Sequence, residues 1–152
     1  MDYLNNKSKQ LIIPPFNNFL IEIGTKNHSH VQSTLYDHLV GTWKILKGWK
    51  CSDDVCHAGL FHSIYGTQVF KPSLIPSNQR EMVQSLIGKP SENLVYIFHI
   101  TPFDRCEYFV KMSEPTRSDL ITIEYANAME QYGESVDIKQ YFKKYQPYLP
   151  KK

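Results

Sequence analysis

Apolar residues recur along this chain at helical rather than alternating spacing, and prolines and glycines divide it into segments of roughly ten to seventeen residues. Pro14 and Pro15 precede FNNFLIEIGT, a short first helix that Gly24 ends. In VQSTLYDHLVGTWKILKGW, Leu35, Leu39 and Leu46 keep near-helical spacing and Gly48 is the stop. Ser52 caps a third helix, with Asp53 and Asp54 in its first turn, that runs through Val55, Ala58 and Gly59 to His62 and the YGT turn.

Beyond the proline-rich connection FKPSLIP, Ser77 is a second capping residue. The following NQREMVQSLIG carries an apolar stripe of Val83, Leu86 and Ile87, with Gly88 at its end. PSENLVYIFHIT is rich in β-formers, so periodicity allows helix or strand; its length and its Pro90-Ser91-Glu92 start favour helix. DRCEYFVKM reads as a strand or a short helix. Ser118 is expected to cap DLITIEYANAMEQY, which Gly133 ends. Five to seven helices with short connections predict an all-α single domain over residues 1–152.

Composition narrows the partners. The 152 residues are 41% hydrophobic and 21% charged, ordinary for a globular chain. A formal charge of +2 argues against nucleic acid or an anionic membrane surface as partner. No apolar stretch approaches the ~18 residues needed to span a bilayer. The N-terminus lacks a signal-peptide pattern, and three cysteines without a C-x-x-C pair argue against a disulfide framework or zinc finger. These features predict a cytoplasmic protein with reduced thiols. The basic KKYQPYLPKK reads as a solvated tail.

Candidate chemistry centres on His38 and His62, 24 positions apart on successive predicted helices. One helix, a tight turn and most of the next helix bring the two imidazoles together, a start to a divalent-metal site. HLVGTWKILKGWKCSDDVCHAGLFHS resembles the opening of an HD-domain phosphohydrolase, above all the Rel/SpoT-type domain that hydrolyses guanosine tetraphosphate with manganese. The resemblance covers roughly residues 30–132 and implies an HD-like helical bundle, with 133–152 as a C-terminal extension. It places His38 and His62 among the metal ligands and the final ligand in YANAMEQ, at Asn127. AGLFHSIYGT has the look of a signature for a small HD-like family of its own.

The departures from that pattern change the expected chemistry. Ser63 stands where the resemblance expects a metal-bridging aspartate, and Asn127 stands where it expects the last one. Tyr65, Gly66 and Thr67 occupy the region of two further acids. Such a neutral donor set suits Mn²⁺ or Mg²⁺ poorly and would favour Zn²⁺ or Fe²⁺ through imidazole. Glu124, three residues before Asn127, shares its helix face and is a candidate to supply a carboxylate, whereas Glu130 reads as solvated.

Several further residues bear on the site. Tyr65 and Thr67 are candidate pocket walls beside His62, and His30 could reach the site mouth. Arg80, in the first turn of its helix, opposes the dipole preference and hints at an anionic ligand or a buried carboxylate such as Glu124. Asp104-Arg105 is a lesser case of the same kind. Two functions follow: an enzyme acting on a small phosphorylated or polar metabolite, with Ser63, Glu124 and Arg80 in its machinery, or a catalytically inactive ligand-binding or sensor domain without metal. Neither predicts hydrolysis of guanosine tetraphosphate.

Overall fold

A computed structural model describes residues 12–30, 33–67 and 73–151. Among these it contains eight α-helices and one two-residue hairpin, so the all-α class holds with one helix more than the pattern predicts. Helix α1 (Pro14–Glu22) starts on its two prolines. Gly24 takes φ +94°, a left-handed conformation that leads into a 3₁₀ turn over Thr25–Asn27. Strands β1 (Ser29–His30) and β2 (Ser33–Thr34) pair antiparallel.

Helix α2 (Leu35–Gly48) begins where Thr34 Oγ1 accepts the Asp37 N–H, at 3.2 Å. Residues 33–34, expected inside that helix, belong to the hairpin instead; residues 31–32, the N-terminal segment 1–11 and part of the proline-rich connection lie outside the described residues. Ser52 caps α3 (Asp53–Phe61) as anticipated, accepting the Val55 N–H. Ser77 does not cap an α-helix. It opens a 3₁₀ turn (Ser77–Gln79), and α4 (Arg80–Ile87) follows without a side-chain cap.

Gly88, at φ +89°, joins α4 to α5 (Lys89–Ile100), which settles the ambiguous segment as helix. DRCEYFVKM also contains a helix, α6 (Arg105–Phe109). Helix α7 (Thr116–Tyr132) starts before Ser118, because the Glu114 carboxylate accepts the Ser118 N–H and so takes the capping part. The extension holds a further helix, α8 (Val136–Phe142), capped by Ser135. The segment read as a solvated tail folds back: Tyr145 and Leu149 are buried, and Glu107 accepts from both Tyr145 and Lys144.

Helix α2 packs on α3 and α7, α3 also meets α5, and α6 lies against α7. Leu39, Leu46, Leu60, Phe61, Leu120 and Ile121 are fully buried between them. Trp43 joins this core, and Trp49 stacks on Tyr125 with ring centroids 5.2 Å apart. The α2–α3 approach depends on Gly59, where a Cβ would lie 2.2 Å from Leu46 Cδ1. Gly41 plays the same part between α2 and α7, since a Cβ there would meet Glu130 Cγ at 2.7 Å. Among the described residues no helix is long and apolar enough to cross a membrane.

Candidate functional site

The two close helix contacts carry the two histidines into each other. His38 Nε2 and His62 Nε2 are 3.3 Å apart, and both residues are buried. Each ring is held by its other nitrogen. His62 Nδ1 donates to the Gly59 carbonyl at 2.7 Å, and His38 Nδ1 lies 2.8 Å from Glu130 Oε1. Glu130, expected in solvent, is therefore a site residue, and Gly41 makes room for it.

The tautomers follow from this chain of contacts. His62 keeps its proton on Nδ1, so a neutral ring presents a lone pair on Nε2. Burial, and then His38 beside it, push the His62 pKa well below its ordinary value. Burial also lowers His38, to about 4, against the raising effect of a hydrogen bond with Asn127. Glu130 is shifted up by burial. A run in which Glu130 donates to His38 Nδ1 and His38 Nε2–H donates to His62 satisfies every atom without net charge.

Helix α7 extends the network along one face. Asn127 Nδ2 donates to Glu124 Oε1 at 3.0 Å, and Glu124 Oε2 accepts from Arg105 Nη1 at 2.8 Å. Gln131 contacts Asn127 Oδ1 at 3.5 Å and His30 Nε2 at 3.3 Å. The His30 ring stacks on His38 with centroids 4.1 Å apart, and its pKa falls to about 4 through burial and through His38. Burial raises Glu124 against the pull of Arg105.

A cavity of about 200 Å³ opens beside this network. His62, Ser63, Asn127, Glu124, Thr67 and His30 all line it. Its remaining wall is largely apolar and aromatic, including Phe98, Ala128, Ile138 and Phe142. His38 is not part of the lining. It stands behind His62 and reaches the cavity through it.

Two expected site residues are elsewhere. Arg80 is committed to Glu92, with Nε 2.9 Å from Oε2 and Nη2 2.7 Å from Oε1, and its guanidinium lies 3.7 Å over the Tyr96 ring. The buried carboxylate it was expected to need exists, but on α5 rather than at Glu124. Tyr65 donates to the same Glu92 at 2.8 Å and does not line the cavity. The cation at the cavity is Arg105, whose guanidinium sits 4.4 Å over Phe98. Its signal in the sequence was a basic residue opening a helix, the same signal that pointed to Arg80.

A divalent metal would need at least three converging donors here. Two convergent Nε2 atoms, with His62 Nδ1 backed by the Gly59 carbonyl and His38 Nδ1 beside Glu130, match in part the way imidazole ligands are oriented. No group of three or more His, Cys, Asp or Glu side chains able to hold a metal occurs among the described residues. Glu124 is taken by Arg105 and Asn127, and Glu130 by His38. The set thus falls short of the three protein donors of a catalytic zinc centre and offers no uncommitted carboxylate to Mn²⁺ or Mg²⁺. Among the described residues, a metal held by the two imidazoles would lack a third uncommitted protein donor.

A family model described as Domain of unknown function (DUF6817) matches residues 19–103, more than half of the chain. No curated protein and no solved structure matches it. The matched segment includes His30, His38, His62, Ser63 and Thr67; Arg105, Glu124, Asn127 and Glu130 follow it.

Proposed function

The chain belongs to the DUF6817 family, and from that premise we propose that it is an HD-like helical domain whose metal motif is degenerate and which binds a small polar metabolite beside His62. The observation that carries this reading is the combination at the cavity wall. A histidine with a fixed tautomer, an amide and a guanidinium converge there, while each nearby carboxylate is already engaged. Ser63 and Asn127 would orient the ligand, and the apolar wall would exclude water around it.

Pyrophosphate hydrolysis is poorly supported. A cavity of about 200 Å³ is small beside the roughly 300–1,000 Å³ of drug-sized ligand pockets. The acids that would activate water are replaced or committed. We therefore expect no release of pyrophosphate from guanosine tetraphosphate with Mn²⁺ at any enzyme concentration.

The 3.3 Å approach of the two Nε2 atoms favours a second reading, an imidazole-bound Zn²⁺ or Fe²⁺. Elemental analysis of the purified protein separates the two. The binding-domain reading expects far less than one metal per chain, unchanged by His62→Ala. A full equivalent of zinc or iron that this substitution removes would establish the metal reading instead.

A further inference from the structure

On the described wall of the cavity Arg105 and Glu124 match each other's charge, and the remaining acid, Asp104, is engaged by a neutral hydroxyl. The Arg105 guanidinium and Glu124 carboxylate form an ion pair at 2.8 Å with both side chains largely buried. Asp104 accepts the Tyr141 hydroxyl, and burial followed by Glu107 raises its pKa. His30 and His62 are held neutral near pH 7, as described above.

A ligand anion would add an unmatched charge beside Glu124 in a mostly apolar space, and either it or a protein carboxyl would have to take up a proton. A ligand cation would meet Arg105. Neutral oxygen acceptors incur neither cost. Arg105 Nε–H is buried with no hydrogen-bond partner among the described residues, so the guanidinium has its charge matched but its donors not exhausted.

Size and wall chemistry narrow the ligand further. An apolar cavity of about 150 Å³ accepts one benzene ring, so about 200 Å³ suits one substituted ring or an aliphatic body of equal bulk. His62, Ser63, Thr67 and Asn127 bring polar groups to the lining, and Phe98, Ala128, Ile138 and Phe142 supply apolar surface. We infer that, given the small-ligand reading, the cavity takes an uncharged amphipathic molecule: a single ring or short aliphatic body bearing a hydroxyl or carbonyl that pairs with the polar lining at Ser63 and Asn127. This replaces the phosphorylated ligand that an unpaired Arg80 would have served.

Three probes of nearly equal shape test the inference on the full chain at pH 7.5: benzyl alcohol, benzoate and benzylamine. Binding is followed by calorimetry and by amide shifts of Thr67 and Ala128. The expected result is benzyl alcohol binding at least tenfold tighter than either ion, with shifts at both amides and loss of binding in Ala128→Met, which fills the cavity. The amide shifts locate the site on the wild type even where that variant does not fold. Benzoate or benzylamine binding as well as the alcohol at those amides would overturn the charge inference and leave the small-ligand reading standing. Absence of binding by all three would overturn the small-ligand reading, and the inference with it.

Discussion

Glu92 and Glu124 are both mostly buried carboxylates paired with an arginine, yet their surroundings differ. Glu92 accepts from Arg80 through two nitrogens, from Gln84 and from Tyr65. Burial alone would raise its pKa, and those hydrogen bonds outweigh it, leaving the carboxyl below its ordinary value. Glu124 has Arg105 and Asn127, and burial wins there. One region is a saturated brace between α4 and α5; the other borders a cavity and keeps donor capacity in hand. Saturation, more than the presence of charge, distinguishes the structural pair from the candidate site.

The largest expected effect breaks the brace. Glu92→Ala leaves Arg80, Gln84 and Tyr65 without their acceptor and should cost about 3 kcal/mol, the low end for a buried pair because Arg80 partly reaches water. Urea unfolding measures it. A loss within error of zero would show that the brace is not structural.

Acid acts on the other region. His38 is neutral when folded, with its pKa lowered from 6.5 to about 4. The unfolded chain therefore binds the proton first, and stability present above pH 6.5 falls as pH drops toward about 4. The histidine contributes on the order of 3 kcal/mol to this fall. Glu130, raised by burial, works in the opposite sense. Urea midpoints at pH 7.5 and 4.5 should drop further in wild type than in His38→Gln; equal drops would contradict the buried neutral imidazole.

Gly59→Ala probes the packing that sets His62. The new methyl would collide with Leu46 Cδ1, and overpacking of this kind costs about 1–3 kcal/mol. Because Gly59 also supplies the carbonyl that fixes His62 Nδ1, the His62 ring resonances should shift as well. Unchanged resonances in a stable variant would detach the helix contact from the site.

The smallest effect sharpens the contrast. Arg80→Lys loses the two-nitrogen contact and should cost about 1 kcal/mol in stability. Benzyl alcohol binding at the cavity should not change. A tenfold loss of binding would return Arg80 to the site.

Much of this was legible in the chain. The caps at Ser52 and Gly24 and the His38–His62 spacing are local signals, and local hydrogen bonding decides them. Ser118 was misread because an equally local competitor, the Glu114 carboxylate, lies four residues away. What the pattern could not give is the long-range pairing. Arg80 and Arg105 both open helices, and only the fold assigns Glu92 to one and Glu124 to the other. Glu130 looked solvated because nothing local reveals that Gly41, 89 positions earlier, leaves it a place beside His38.

The separation of 92 positions between His38 and Glu130 also sets an order of assembly. At about 5–20 residues per second of synthesis, the chain carries α2 and α3 for roughly 3–14 s before the residue that completes the His38 contact exists. During that interval the contacts that α7 supplies to His38, through Glu130, and to the cavity, through Asn127, are still missing. The buried polar network is therefore a late event in the life of each molecule, completed only when α7 arrives.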